Sequence, residues 1–305
     1  MILKKIIPHN FRDTLIYGLS FLPDEPYLRL FYYVSTGKRL NLKNPKTFED
    51  KQHWLKLHDQ HMEYSMLVDK IKVREHIKKT IGEEYLFPLL GTWRNFEEID
   101  LYKLPNQFVL KCNHDSGSVK IIENKNEITR KEWDRLAKFY RNRLSKNFFY
   151  AGREYPYKNV IPYIIAEPLM ISNVGDGSLI DYKFFCFDGV PKLVQVMTNR
   201  KTDFRIDWYD MEFNHLQIIS DHPQSEGINS KPSTFEEMKS IAKILSEGIK
   251  FVRIDLYEYN QKVYFGEYTF FHGGGFQFLQ PDEWEYRMGS WIQLPKKNKK
   301  SINTL

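Results

Sequence analysis

Cysteine is nearly absent: Cys112 and Cys186 are the only two in 305 residues. Two scattered cysteines exclude a disulfide framework and a cysteine-rich zinc site, and read as buried strand residues of a protein from a reducing compartment. No stretch approaches the roughly 20 apolar residues that span a bilayer. The start carries Lys4 and Lys5 but neither a long apolar run nor a small-residue cleavage site, which argues against a signal peptide. It reads as a helix docked on the core, with a peripheral amphipathic helix as the alternative. Internal repeats and low-complexity linkers are missing. So are GxxxxGK[ST], any GxSxG to accompany His272-Gly273-Gly274-Gly275, any Asp-x-Asp pair, and any recognised nucleic-acid motif. These absences remove Walker-type nucleotide binding, the esterase elbow and the aspartate pair of many metal-dependent glycosyltransferases.

What is present is a core and a charge. The chain is 42% hydrophobic and contains 22 Phe, 19 Tyr and 6 Trp, ample for a folded protein. Its formal charge of +6 favours anionic partners without choosing among nucleotides, acidic sugars, nucleic acid and an anionic membrane face. The end, with four lysines over residues 296–300, reads as a solvated, disordered basic tail.

Patterning gives segregated helices and antiparallel hairpins, hence an α+β layering. Thr47 caps a helix through Leu57, with Asp50 at the capping-box position, and Asp69 and Lys70 lie in another helical stretch. Residues 107–112 and 119–122 read as strands, followed by a helix over 130–143. Strands 162–167 and 181–187 come next, and Asp188-Gly189 turns the chain into a strand over 192–197. Ser233, with Glu236, caps a helix that buries Met238, Ile241, Ala242 and Leu245 and ends at Gly248. The last strands are 251–257 and 263–269.

That last hairpin carries the strongest chemical signal. Alternation places Arg253 and Asp255 on one face of its first strand, and Glu267 and Thr269 on one face of its second. A three-residue loop, Asn260-Gln261-Lys262, sets Asp255 opposite Glu267 and Arg253 opposite Thr269. Two facing carboxylates repel unless a divalent cation or a neighbouring cation compensates them. A magnesium site with Arg253 on a phosphoryl oxygen and a plain salt-bridge cluster both satisfy this pattern. The loop Asn113-His114-Asp115-Ser116-Gly117-Ser118, entered from Lys111, is either a phosphate cradle or an ordinary polar hairpin. Asp181 and Lys183 share a strand face, as ligands of ribose and phosphate or as an exposed ion pair. Glu167, just before Pro168, is a cleft-rim acid or an unremarkable strand end.

In order along the chain, Asn44-Pro45-Lys46-Thr47-Phe48, residues 69–74, residues 108–114, Asp181-Tyr182-Lys183-Phe184, residues 252–257 and Phe265-Gly266-Glu267-Tyr268-Thr269-Phe270 resemble the ATP-grasp superfamily. They are most similar to its teichuronopeptide-biosynthesis-like (TupA-like) branch, over residues 40–294. The resemblance implies an α+β ATP-grasp fold with the ATP cleft between two subdomains. A helical region over residues 1–100 would precede a lid subdomain over 101–170, a metal-binding subdomain over 171–295 and the basic tail over 296–305. Lys70 and Lys111 would hold the ATP phosphates and Asn113 to Ser118 would form a flexible lid. Glu167, Pro168 and Leu169 would meet the adenine, with Asp181 and Lys183 along the ribose and phosphates. Asp255 and Glu267, with Thr269 in place of the asparagine of many ATP-grasp enzymes, would hold Mg2+. Arg253, Lys111 and Lys183 would be the catalytic cations.

The implied reaction is ATP-dependent amide formation through an acylphosphate, the lid excluding water while an amine displaces phosphate. For this branch the expected partners are an amine or amino acid and a uronic-acid-containing glycan of a bacterial surface polysaccharide. The expected location is cytoplasmic, with a peripheral contact at the inner membrane face and no nucleic acid. Three rivals remain: a metal-independent glycosyltransferase, a sugar kinase using the same grasp, and a non-enzymatic binder of anionic polymers.

Overall fold

The computed structural model describes residues 16–295. The expectations for the first residues of the N-terminal helix and for the basic tail fall outside that range. Among the described residues no helix is long and apolar enough to cross a membrane.

The first part of the chain is helical: α1 (Asp24–Thr36), α2 (Phe48–His58), α3 (Tyr64–Val68) and α4 (Val73–Thr80). Thr47 caps α2 by accepting from the Asp50 amide at 3.1 Å, as its sequence position predicts. The reciprocal half of a capping box is missing, because the Asp50 carboxylate accepts from the Asn41 amide instead. These helices do not form a core of their own. They share one with the larger of two sheets.

The smaller sheet contains β1 (Gly91–Trp93), β2 (Phe108–Cys112), β3 (Lys120–Ile122) and β4 (Ile164–Pro168), in the antiparallel order β1-β4-β2-β3. Its strands therefore come from both sides of residue 100. Phe108, Leu110 and Cys112 of β2 pack with Ala137 and Tyr140 of α5 (Arg130–Leu144) in a second core. Thr129 and Glu132 close a full capping box at the start of α5. Val109 and Lys111, at the alternate positions of β2, turn to the other face. The short α6 (Phe149–Gly152) connects α5 to β4.

The larger sheet contains β5 (Asp181–Phe187), β6 (Val190–Thr198), β7 (Arg205–Tyr209), β8 (His215–Leu216), β9 (Phe251–Tyr259) and β10 (Lys262–Thr269). Its antiparallel order is β10-β9-β5-β6-β7-β8. Cys112 and Cys186 are both free and buried, as expected. One face is covered by α7 (Phe235–Leu245), whose Phe235, Met238, Ile241, Ala242 and Leu245 form the buried stripe. Ser233 does not cap α7. The N-cap is Thr234, and Glu258 accepts from the hydroxyls of both Ser233 and Thr234, while Glu236 pairs with Lys231. The other face is apolar where Phe185, Phe187 and Phe251 meet Phe48 of α2, at ring separations of 6.5, 6.1 and 4.8 Å. Farther along the same strands it becomes charged.

The last hairpin reaches the expected register by another route. Its turn has two residues, Asn260 and Gln261, both with positive φ, so Lys262 pairs with Tyr259. A bulge at Gly266 then shifts the ladder by one residue and brings Glu267 opposite Asp255 and Thr269 opposite Arg253. A side chain at Gly266 would lie 2.9 Å from the Asp255 carbonyl, so the bulge needs glycine.

The C-terminal α8 (Glu283–Trp291) lies across the start of α2. A Cβ on Gly289 would come within 2.2 Å of the Lys46 carbonyl oxygen, with no flexible side chain to give way. Gly289→Ala is therefore expected to destabilise the fold by about 1–3 kcal/mol despite its better helix propensity. Chemical denaturation checks this, and an unchanged midpoint would show that the two helices can separate without cost.

Candidate functional site

Period-2 alternation builds a charged strip on three adjacent strands. The register sets Lys183 of β5 beside Asp255 of β9, and Asp255 beside Glu267 of β10. Asp255 is 1% exposed, and its two oxygens take a side-on fork from Arg253: Nε to Oδ1 at 2.6 Å and Nη2 to Oδ2 at 2.8 Å. Lys183 Nζ donates to the same Oδ2 and lies 3.1 Å from Asp181 Oδ1. Arg200 Nε donates to the other oxygen of Asp181 at 2.6 Å. Burial alone would raise the Asp255 pKa, but the charges of Arg253 and Lys183 outweigh it and hold the carboxyl down at about 2.

Two further Arg253 donors are also taken. Nη2 reaches Thr269 Oγ1 at 3.0 Å and Nη1 reaches His272 Nδ1 at 2.9 Å. With Nδ1 accepting, the ring proton belongs on Nε2, which is buried and has no hydrogen-bond partner. Burial first, then the Arg253 charge, pushes the His272 pKa well below its ordinary value, so the ring is neutral.

Glu267 is less committed. Its side chain is 36% exposed, with Arg253 Nη2 at 3.7 Å, Lys70 Nζ at 3.8 Å and a long contact from Thr269 Oγ1 at 3.5 Å. Lys70 also donates to the Asp115 carbonyl at 2.8 Å, which ties the loop over residues 113–118 to the charged strip. That loop turns most of its polar side chains inward. Asn113 bonds Asp69, the Ile161 carbonyl and the Tyr163 amide; His114 bonds the Arg143 carbonyl. Asp115 takes Ser118 Oγ and Arg143 Nε, both at 2.5 Å. Only Ser116 and Gly117 are exposed, so the loop offers a ligand chiefly the backbone of its tip.

Lys111 and Glu167 pair with each other at 2.6 Å on the smaller sheet, as neighbours across β2 and β4. Pro168 ends β4 opposite Phe108, and Leu169 follows it, part-buried. Lys70, Asp181, Lys183, Arg253, Asp255, Glu267 and Thr269 thus form one connected set, while Lys111 and Glu167 form a second pair.

Among the described residues no three acidic, histidine or cysteine side chains converge on one point. A metal candidate therefore rests on Asp255, Glu267 and the Thr269 hydroxyl. These are hard oxygen donors of the kind magnesium takes when waters and phosphates complete its shell. Glu267 is open to such an ion. Asp255 accepts it only by loosening its hold on Lys183 or Arg253.

Arg200, Arg143 and Glu154 escape the sequence reading. Each comes from a loop or helix end, and no motif marks them. Glu154 is 8% exposed, and burial raises its pKa, against the opposing charges of Lys56 and Arg253.

Replacing Asp255 by Asn leaves Arg253 and Lys183 buried without their counter-charge, an expected cost of about 3–5 kcal/mol at neutral pH. Because the folded-state pKa is depressed, this contribution is complete above the ordinary carboxyl range and is lost as pH falls from about 4 towards about 2. Urea denaturation of wild type and Asp255→Asn should give curves that converge across that window. A gap independent of pH would show that the ion pairs are not its source.

A family model described as TupA-like ATPgrasp matches residues 50–293, well over half of the chain. No curated protein sequence matches it. Among solved structures, D-alanine–D-alanine ligase from Bacillus anthracis is similar at 13% identity, covering 67% of this chain and 57% of that one, with a TM-score of 0.38. The Helicobacter pylori D-alanine–D-alanine ligase gives 12%, 83%, 70% and 0.40 in the same order. A RimK domain ATP-grasp protein from Sphaerobacter thermophilus gives 9%, 75%, 69% and 0.40. The chain thus spans a little over half the length of the first of these structures. With its two antiparallel sheets and flanking helices, the chain belongs to the TupA-like ATP-grasp family and has the α+β fold expected of it.

Proposed function

We propose that this protein is an ATP- and magnesium-dependent carboxylate–amine ligase that forms an amide through an acylphosphate. The observation that carries the reading is the connected strip Lys183–Asp255–Arg253–Glu267, facing Lys70 and the loop over residues 113–118. It gathers cations where a phosphoryl group carries charge and sets two carboxylates beside them. Family membership supports the nucleotide; the geometry supports the roles.

Magnesium, when bound, would neutralise phosphate charge, with Asp255 and Glu267 as its carboxylates and Thr269 as a hydroxyl neighbour. The protein's own groups do the rest. Arg253, fixed on four sides, presents a rigid guanidinium at the edge of the strip. Lys70 and Lys183 flank the carboxylates, and Lys111 supplies a further cation from the smaller sheet. Glu167, Pro168 and Leu169 lie at the end of β4 as the candidate adenine contact, with Asp181 towards the ribose. Asn113, His114, Asp115 and Ser118 hold the loop in shape, leaving Ser116 and Gly117 to approach phosphates through their amides.

The proposed carboxylate is a uronic acid of a surface glycan or its precursor, and the proposed nucleophile an amino acid or other amine. The overall charge of +6 supports an acidic substrate and a peripheral contact with an anionic inner membrane face.

Incubation with ATP, Mg2+, uronic acids or uronate glycans and amino acids should release ADP and phosphate only when both substrates are present. The product should be lighter than their sum by one water. A phosphorylated product would show a kinase, and nucleotide-sugar binding in preference to ATP a glycosyltransferase. Glu267→Gln is expected to lower turnover at least 100-fold with little change in unfolding midpoint, because Glu267 is half-exposed and weakly partnered. Normal turnover by a folded Asp255→Asn, Glu267→Gln double variant would overturn the metal assignment.

A further inference from the structure

α1 is apolar on both sides. Its inner face buries Tyr27, Leu28, Phe31 and Tyr32. Its outer face, where a helix at a protein surface ordinarily turns polar, carries Leu30, Tyr33 and Val34 at 44%, 56% and 42% exposure. Their i, i+3, i+4 spacing makes them neighbours in one stripe rather than scattered surface residues. No other helix among the described residues exposes three large apolar side chains at that spacing. Phe21, just before α1, is 76% exposed.

The chain then turns cationic. Gly37 ends α1 in the left-handed conformation. The loop over residues 37–46 contains Lys38, Arg39, Lys43 and Lys46, all exposed, and no acid. Arg29, exposed four residues before Tyr33, donates to the Leu40 carbonyl at 2.9 Å, so the loop runs back beside the stripe. Two of the cations here are already answered: Arg29 pairs with Glu25 at 2.8 Å, and Lys38 lies 3.6 Å from Asp282. Arg39, Lys43 and Lys46 have no ion-pair partner among the described residues.

The stripe and the cations together narrow the occupant. A second copy meeting this one through the same face would cover the stripe and add like charges to the cations. An anionic polymer would use the cations and leave the stripe in water. A bilayer with anionic headgroups uses both: apolar side chains enter the interface while arginine and lysine meet the phosphates. Tyr33 suits such a boundary, with an apolar ring and a polar hydroxyl. We propose that the outer face of α1, with the cationic loop over residues 37–46, is the docking surface for a bilayer that carries anionic lipid. The inference rests on the peripheral contact proposed above and names the surface that makes it; the ligase chemistry stands apart from it.

The test floats the full chain with vesicles of phosphatidylcholine, and of phosphatidylcholine mixed equally with phosphatidylglycerol. The wild type should bind the mixed vesicles, weaken as salt rises, and bind plain phosphatidylcholine at least about tenfold more weakly. Leu30→Gln, Tyr33→Gln and Val34→Gln together, and Arg39→Glu with Lys43→Glu, should each weaken binding by about tenfold or more with unfolding midpoints near that of the wild type. Cys112 and Cys186 are both buried, so Val34→Cys can carry an environment-sensitive fluorophore, and its emission should move to the blue on mixed vesicles. Mixed-vesicle binding that the apolar variant retains, or a label whose emission does not move, would place the contact elsewhere on the chain and overturn the proposal. So would equal binding to both kinds of vesicle, or a wild-type dimer in solution that the apolar variant loses. A wild type that binds neither vesicle would sink the peripheral contact itself, and this inference with it, while leaving the ligase reading to its own turnover test.

Discussion

Everything around the strip depends on a carboxylate with no exposed oxygen. Asp255 lies on the second strand from the sheet edge, and isolated burial would force it neutral. Arg253 and Lys183 prevent this, and each is then constrained by having done so. The guanidinium must lie in the plane of the carboxylate, which aims its outer nitrogens at His272 and Thr269. The ammonium must sit between Asp255 and Asp181, which leaves Asp181 an oxygen for Arg200. One buried charge thus orders residues on β5, β9, β10 and two loops. The strip can be rigid around Asp255 because both of its oxygens are fixed by neighbouring cations.

The same alternation explains why the N-terminal helices are not a separate body. Lys183 and Arg253 share a sheet face with Phe185, Phe187 and Phe251. The charged half of that face meets Lys70 and, through it, the loop over residues 113–118, but the aromatic half must be covered. Phe48, at the start of α2, covers it. α8 then seals the start of α2 at Gly289. The helical region is therefore part of the core that holds the site flat.

How far the sequence predicts this varies by element. Alternation along β5, β9 and β10 is a local property, so the shared faces were legible. The pairing of Asp255 with Glu267 was reached through a three-residue loop and no bulge; the chain uses a two-residue turn and a bulge at Gly266, and the two differences cancel at the site. A glycine between Phe265 and Glu267 was the visible sign of that bulge. The cap at Ser233 failed because Glu258, distant in sequence, takes the hydroxyls. Arg200 and Arg143 were invisible for a related reason: their partners are fixed only when separate elements meet. The loop over residues 113–118 was legible as a loop but not as one that buries its own side chains against Asp69 and Arg143.

The glycines after β10 join these strands of argument. Gly273, Gly274 and Gly275 all take positive φ, at 58°, 66° and 73°, a run that L side chains resist. The turn directs the carbonyls of Gly274 and Gly275 onto Lys56 and His53 of α2. Lys56 in turn holds the Gly152 carbonyl, and with it the segment that carries Glu154. One helix therefore positions the aromatic half of the sheet through Phe48 and the glycine turn through His53. Through Lys56 it also positions the end of α6. Two of the three Lys56 protons go to these carbonyls, and they tie α2 to the glycine turn and to the end of α6. The fold thus keeps two neighbouring carboxylates in opposite conditions: Asp255 is saturated by Arg253 and Lys183, while Glu267, across the ladder from it, stays part-exposed and loosely partnered.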